Sequence, residues 1–429
     1  MNWALVCFLG GFVIFMLLGA PTYLALLIGS LSWFLFHPEI SSMMIMQKMF
    51  GSLDSFVLLA VPMFMISGSL MNTGSITDRI FNFARALVGH HKGGLGHVNV
   101  IASFIMSGMS GSALADVGGL GQIEIRAMRE EGYDDDVTLG ITAASATMGP
   151  IVPPSIPMVI YGATAGVSIG ALFLGGFLPG IVMLIVLCGS IAIIANKRGY
   201  PTHPRATWRA RWIAFKKAFL SLMMPVIVMG GMWTGWFTPT EASLISILYV
   251  ILVVALVYHE LSFKKVMDVL VDTARNFVPA LACVSASALF GWILQFERLD
   301  KKLLIFFTET VNNEIVLILC LNLLLLFFGM ILDATPVIML MVPLLMPLAE
   351  SIGMHPVHLG VMIVLNLMIG LMTPPIGQSL FVMGATMHLP FEYVVKNTYK
   401  WLLPLAIALL IVSFCPPVVT FLPELFGMI

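Results

Sequence analysis

Along this chain, apolar runs long enough to cross a bilayer alternate with short polar breaks. A spanning helix needs about 20 apolar residues, and such runs lie near 3–18, 22–36, 54–73, 137–165, 168–195, 218–237, 239–258, 276–296, 356–388 and 400–422. Two further apolar regions, 94–128 and 313–350, are each interrupted by a polar knot containing one aspartate. That pattern predicts re-entrant hairpins, which enter and leave on the same side. Non-helical backbone is tolerated at membrane depth only inside protein or beside a water-filled cavity. The expected fold class is an all-α polytopic membrane protein.

Composition agrees with a bilayer as solvent. The chain is 59% hydrophobic and 10% charged, whereas soluble domains carry about 25% charged residues. A formal net charge of -1 implies no nucleic-acid partner. Cys7, Cys188, Cys283, Cys320 and Cys415 all lie in apolar runs without C-x-x-C spacing, so they read as small core residues rather than disulfides or a zinc site. The N-terminus lacks a basic region and reads as two helices broken at Gly19-Ala20-Pro21, not as a cleavable signal. Lys197, Arg198, Arg205, Arg209, Arg211, Lys216 and Lys217 crowd one loop, which is therefore expected in the cytoplasm. Counting spans outward places both termini in the periplasm, with Lys396 and Lys400 inside. Arg298, Lys301 and Lys302 then fall outside, a mild violation that an amphipathic arm lying flat at the interface would explain. Residues 75–90 and 262–275 read as similar arms, Ser75–His90 and Ser262–Arg275.

An internal repeat organises the chain. Val61-Pro62 matches Val278-Pro279, and Asp116 matches Asp333 at the same offset (279 − 62 = 333 − 116 = 217). Leu139-Gly140 matches Leu359-Gly360, and Gly149 with Pro153-Pro154 matches Gly370 with Pro374-Pro375 at an offset of 221. Gly162-Ala163-Thr164 matches Gly384-Ala385-Thr386. On the span count, five crossings separate Pro62 from Pro279, so the halves are inverted in the membrane. Inverted repeats with discontinuous helices are a transporter plan, with substrate and ions at the broken helices near the midplane; a duplicated channel or scaffold is the alternative. The expected divisions are N-terminal scaffold helices over 1–53, repeat 1 over 54–196, a basic loop over 197–217, scaffold helices and an arm over 218–275, repeat 2 over 276–395, and a C-terminal helix over 396–429.

The polar knots carry the candidate chemistry. The first hairpin tip runs from Ser107-Gly108 through Ser110-Gly111-Ser112 to Asp116, and the helix expected opposite breaks between Thr147-Met148-Gly149 and Pro153-Pro154-Ser155. In the second half the tip holds Gly329, Asp333-Ala334-Thr335, and the break holds Gly370, Thr373-Pro374-Pro375 and Gln378. Glycine frees backbone and proline removes amide donors, leaving carbonyls unbonded. With the hydroxyls these are hard oxygen ligands suited to Na⁺. The candidate sodium ligands are Ser107, Gly108, Ser110, Ser112, Asp116, Thr147 and Gly149, and in the second half Gly329, Asp333, Thr335, Gly370 and Thr373. The bland alternative for the small residues is close helix packing. Asp116 and Asp333 are costly at this depth. They either coordinate Na⁺ or cap the second helix of each hairpin, capping being preferred for the side chains; a proton relay is the third option. Glu241 reads as a helix-start carboxylate, Trp233 and Trp236 as an interfacial belt, and Asp134, Asp135 and Asp136 as solvated surface. His97 and His388 have no metal-ligand company. An intramembrane enzyme is disfavoured, since G-x-S-x-G, H-E-x-x-H and paired aspartates across two spans are all missing from the sequence.

Gly149-Pro150-Ile151-Val152-Pro153-Pro154-Ser155-Ile156-Pro157-Met158, then Ser168-Ile169-Gly170-Ala171-Leu172-Phe173 and Phe237-Thr238-Pro239-Thr240-Glu241-Ala242, resemble the large membrane subunit of TRAP (tripartite ATP-independent periplasmic) transporters, over essentially the whole chain. The resemblance implies an elevator-type carrier of the ion transporter superfamily in the bacterial inner membrane. It implies Na⁺ as coupling ion with no other cofactor, a periplasmic substrate-binding protein, and a separate small four-helix membrane subunit. It also implies a small carboxylate substrate, a C4-dicarboxylate or sialic acid, with general resemblance pointing toward sialic acid. Half-helix N-termini at the tips suit a carboxylate. The residues assigned to it are Ser110, Ser112, Pro153, Pro154, Ser155, Ala334, Thr335, Pro374, Pro375 and Gln378. No basic residue lies in either tip, so dipoles and amides would bind it. A stand-alone Na⁺/dicarboxylate symporter of the same superfamily, without a binding protein, is the alternative.

Overall fold

A computed structural model describes residues 3–72, 76–310 and 313–429; Ser75, the expected first residue of one arm, lies outside the described residues. Among the described residues the secondary structure is helical, with no strand. Seven helices among the described residues are long and apolar enough to cross a bilayer, and an eighth span results if Met43–Gly51 and Phe56–Met71, bent by 54°, count as one. The protein is therefore a multi-pass membrane protein. Five of the ten apolar runs hold such a helix; 3–18 and 22–36 form helices of only 15 and 13 residues, 54–73 belongs to the bent pair, and two runs are broken. Residues 137–165 divide into Asp135–Ala146 and Ile156–Ala165, and residues 356–388 into Pro356–Leu371 and Gln378–Met387.

Local chemistry sets the helix ends. The long helix Ile169–Arg198 starts where the Ser168 hydroxyl accepts from Ala171 N–H, and stops at left-handed Gly199, with Lys197 and Arg198 complementing the dipole of its last turn. Thr238 and Glu241 form a reciprocal capping box ahead of Pro239–Leu252. Glu241 thus serves the helix start through two hydrogen bonds from Thr238, at 2.8 Å each from N–H and hydroxyl.

The first hairpin folds from Gly94–Ser110, Ala113–Gly118 and Leu120–Glu130, its returning limb interrupted at Gly119. The second folds from Glu314–Ile331 and Ala334–Ser351, unbroken limbs of 18 residues each. Packed against them are two segments buried around their whole circumference, residues 137–155 and 357–372. Their polar side chains, among them Thr138, Thr142, Ser145, His358 and Asn366, are buried too, and polar groups within a membrane face the protein interior. Both admit an aromatic ring where a side chain is missing. A Cβ on Gly140 would fall 1.9 Å from the Trp401 ring, and one on Gly360 would fall 2.3 Å from Tyr161.

Three expected divisions are redrawn. Ser262–Arg275 is not a separate arm: Phe263–Phe296 is one helix of 34 residues, capped by Ser262 and continuous through Pro279. Proline interrupts a membrane helix only mildly where neighbours re-satisfy the freed carbonyl, and nothing else in 263–278 opposes a helix. The segment at the corresponding place to the first arm, Ile76–Val88, is instead Leu299–Thr310, which carries Lys301 and Lys302. The final run is also divided, into Leu402–Phe414 and Pro417–Leu425, because Pro416 and Pro417 cannot continue the helix. Helices run through the expected boundaries at 196, 217, 275 and 395.

Candidate functional site

A cavity of about 460 Å³ lies where the two hairpin tips meet the rest of the fold. One wall is the first tip, Ser110 to Ala115, and the second tip, Asp333 to Thr335. The other is Met65, Gly68 and Ser69 of Ala60–Met71 with Asn276 and Ala280 of Phe263–Phe296.

The first tip turns at Gly111, φ 60°, a left-handed conformation that favours glycine. Ser112 caps the next helix, its hydroxyl accepting from Ala115 N–H at 3.4 Å. Asp116 is buried, and its Oδ1 accepts from the Ser110 hydroxyl at 2.6 Å across the tip. Its Oδ2 is buried with no hydrogen-bond partner. That oxygen faces the first broken helix, since a Cβ on Gly149 would stand 2.8 Å from it. The second tip is built differently. Asp333 is exposed to the cavity and is itself the cap, Oδ1 accepting from Ala334 N–H at 2.8 Å.

Between the halves of each broken helix lies a Pro-Pro pair, Pro153-Pro154 and Pro374-Pro375, both with a cis peptide bond. A hydroxyl spans each gap. Ser155 donates to the Pro150 carbonyl, and Ser379 donates to the Leu371 carbonyl at 2.7 Å.

The family model of the DctM component of tripartite ATP-independent periplasmic transporters matches residues 9–418. The chain belongs to this family. Relatives of this TRAP large subunit include the sialic acid TRAP transporter large permease SiaM of Vibrio cholerae, 45% identical over 95% of this chain and 96% of that one. The sialic acid permease SiaT of Haemophilus influenzae is 41% identical over 96% of this chain and 67% of its own length. The C4-dicarboxylate permease DctM of Pseudomonas aeruginosa is 34% identical over 93% of each chain. Among solved structures, the YdaH transporter of Alcanivorax borkumensis shares the fold at a TM-score of 0.60 and 12% identity, over 87% of this chain and 88% of that one.

In this TRAP subunit the candidate residues divide. Ser110, Ser112, Ala334, Thr335 and Asp333 line the cavity. Pro153, Pro154 and Ser155 lie buried behind it, with Pro150, Ile156 and Pro157 taking the places at its wall. Pro374, Pro375 and Gln378 are away from its lining. Ser107, Thr147 and Thr373 donate their hydroxyl hydrogens to the carbonyls of Ser103, Ala144 and Ile369, at 2.7, 2.6 and 2.7 Å. Gly108 packs on Pro225, and a Cβ on Gly370 would lie 2.5 Å from the carbonyl carbon of Gly329. For Asp116 the expected capping role is overturned, because Ser112 occupies the cap position four residues earlier.

Sequence reasoning missed the amides that hold each hairpin to its broken helix. Asn99 donates to Thr142 at 2.7 Å and accepts from Ser145 at 2.8 Å, while Asn366 donates to the Asn322 side chain and backbone carbonyl, both at 2.9 Å. A lone asparagine in an apolar run is costly unless paired, so Asn99, Asn322 and Asn366 were findable. Buried Glu124, whose Oε1 has no hydrogen-bond partner, was likewise overlooked.

The acidic run is corrected as well. Asp134 is exposed as expected, but all three carboxylates are paired, and Asp135 and Asp136 are partly buried. Arg198 bridges Asp134 and Asp136 at 2.7 Å, Arg129 takes Asp135 in a bidentate pair at 2.8 and 2.9 Å, and Tyr393 donates to Asp135 at 2.7 Å. Trp401 donates to the Asp136 carbonyl at 2.9 Å. Arg198 holds the Asp136 carboxyl below the usual carboxylate range, and Tyr200 followed by Arg198 does so for Asp134.

Proposed function

We propose that this chain is the large membrane subunit of a Na⁺-coupled importer of a carboxylate, handed over by a periplasmic binding protein. The observation that carries the reading is the cavity between two hairpin tips on one side and Ser69 and Asn276 on the other. A solute there contacts two bodies at once. Its carboxylate would meet backbone amides and the hydroxyls of Ser112 and Thr335, with no basic side chain needed. Sialic acid is the preferred substrate, because the two more similar of the three relatives described above are named for it.

Sodium belongs beside Gly149, where the free Asp116 Oδ2 and tip carbonyls supply hard oxygen ligands. A second Na⁺ belongs at the second tip, near Gly329, Thr335 and Gly370. Each tip would move with its broken helix as one body across the bilayer, the two halves being inverted repeats. The arms and the helices bearing Ser69 and Asn276 would form the fixed frame. A small four-helix membrane subunit would widen that frame, and both termini would face the periplasm. Uptake of labelled sialic acid into proteoliposomes, with and without a Na⁺ gradient and a cognate binding protein, tests the reading. Uptake should need both and rise with Na⁺ with a Hill coefficient above one. Equal uptake in choline medium would exclude sodium coupling, and equal uptake without the binding protein would favour a stand-alone symporter.

A further inference from the structure

The returning limb of the first hairpin buries a second carboxyl, which the proposed sodium site does not use. Glu124 of Leu120–Glu130 is 1% exposed, and its Oε1 has no hydrogen-bond partner. The charge that bears on it is another carboxylate, Asp116, and the group within hydrogen-bonding reach is the Ser103 hydroxyl of the opposite limb. The other titratable groups on the limbs and on Asp135–Ala146 are engaged or turned outward. Arg129 pairs with Asp135, Asp136 with Arg198, His97 lies near His91, and Arg126 and Glu130 are exposed.

The hydrogen bonds beyond Ser103 fix which partner donates. The Thr142 hydroxyl gives its hydrogen to the Thr138 carbonyl at 2.8 Å, so it can only accept from Asn99 Nδ2, at 2.7 Å. That orients the amide and leaves Asn99 Oδ1 to accept from the Ser145 hydroxyl at 2.8 Å. Ser145 has then given its one hydrogen, so the 3.0 Å bond between Ser103 and Ser145 is donated by Ser103. Ser103 meets Glu124 with lone pairs alone. A carboxylate, which only accepts, would face it acceptor to acceptor; a protonated acid would donate. Ser103, Ser145, Asn99 and Thr142 are all buried, so no solvent stands in for the missing hydrogen. Burial without a cationic partner also penalises an ionised carboxylate.

The second half closes without such an acid. At the offset of 221 that relates the hairpins, Glu124 corresponds to Leu345 (124 + 221), a buried apolar side chain. There Asn366 donates to the Asn322 side chain at 2.9 Å and Asn322 donates to Ser413 at 3.2 Å.

We propose that Glu124 is a resident proton site, its carboxyl held protonated and donating to Ser103. The bond completes the polar chain that ties both limbs of the first hairpin to the broken helix. Glu124 is thus a positioning residue, acting through Ser103. A neutral acid also adds no second negative charge near Asp116, where the proposed function sets a sodium ion. That consequence rests on the transport reading; the proton site does not.

Infrared difference spectra of the purified full chain at pH 7, unaltered minus Glu124→Gln, read the proton without transport. A free-acid carbonyl stretch should be present in the unaltered protein and lost in the variant. Carboxylate stretches in its place overturn the proposal. Ser103→Ala removes the acceptor, so the acid stretch should persist and move to higher frequency; an unmoved stretch overturns the pairing. If Glu124→Gln does not fold, Ser103→Ala carries the spectroscopic test. Glutamine keeps a neutral donor of the same length, so Glu124→Gln should hold Na⁺-driven uptake within about twofold. Glu124→Ala should lower the melting temperature by several degrees, because Ser103 loses its donor. A loss of uptake in Glu124→Gln above about tenfold, with a shifted Na⁺ half-saturation and an intact melting temperature, would mean that the charge itself is needed; it overturns the proposal. No uptake by the unaltered protein either would count against the transport reading and leave the spectra to decide.

Discussion

The two hairpins occupy corresponding places in the chain, yet their aspartates do different work. Asp116 sits inside its helix, buried, tied to Ser110, with one oxygen free. Asp333 stands at the start of its helix, exposed, with one oxygen on Ala334 N–H. The structural counterpart of Asp333 is the cap residue Ser112, at an offset of 221 (333 − 112), which is also the offset of Gly108 to Gly329 and of Gly149 to Gly370. The 217 offset that aligns the two aspartates aligns letters rather than roles. Two hairpins can share a backbone plan while the charge sits one helical turn further along in one of them.

The largest effect separates these roles directly. Asp116→Asn should lower initial Na⁺-driven uptake more than tenfold in proteoliposomes matched for protein, because it removes the buried charge a cation would need. Asp333→Asn should stay within about threefold, since asparagine caps a helix as well as aspartate does. Equal losses would make Asp333 a ligand as well as a cap.

Next comes motion. Cysteines at Ala113 and Ala334 should change labelling rate together, severalfold, when Na⁺ and substrate are added from one side of a membrane. A cysteine at Lys301, on the second arm, should keep its rate. If Lys301 alternates and the tips do not, the moving and fixed bodies are reversed.

Smaller is the loss from cutting the amide links. Asn99→Ala and Asn366→Ala should each cost about 1–3 kcal/mol, because a buried partner is left unbonded, toward the lower end in a membrane. Thermal unfolding in detergent measures it. A second-half pair changed together, Asn322→Leu with Asn366→Leu, should be less destabilised than the sum of the singles.

The least effect is expected at the acidic run. The carboxyls of Asp134 and Asp136 have depressed pKa values in the fold. Their stabilisation is therefore present above the unfolded value of about 3.9 and is lost as pH falls through the folded values. Arg198→Gln should lower the melting temperature by a few degrees at pH 7, and the gap to the unaltered protein should start to shrink below about pH 4 and close once pH has fallen past the lowered folded values. A gap that persists there would mean Arg198 acts by packing alone.

Much of this fold was legible because a bilayer restricts the choices. Apolar runs, the polar knots, the Pro-Pro breaks and the order of repeated motifs each follow from backbone that must be satisfied without water. What stayed hidden depends on register and on distant partners. Nothing local tells that Pro279 is carried within one helix while Pro62 follows a bend. Nor does any local signal show that Asp136 will meet a residue 265 positions away. Of the candidate site, the tip residues were readable from glycine, hydroxyl and charge together. Ser69 and Asn276 were not, because a single polar side chain on a spanning helix gives no sign of which cavity it will face.

That node at Asp136 bears on how the protein is made. Arg198 lies 62 residues downstream, so the pair can close while the first half is still being inserted. Trp401, which takes the same residue's carbonyl, emerges 265 residues after it. Synthesis thus leaves the first broken helix with a provisional clasp until Trp401 has emerged. The Trp401 ring then fills the notch at Gly140 and completes the seam. Any product truncated before Trp401 would leave that seam open.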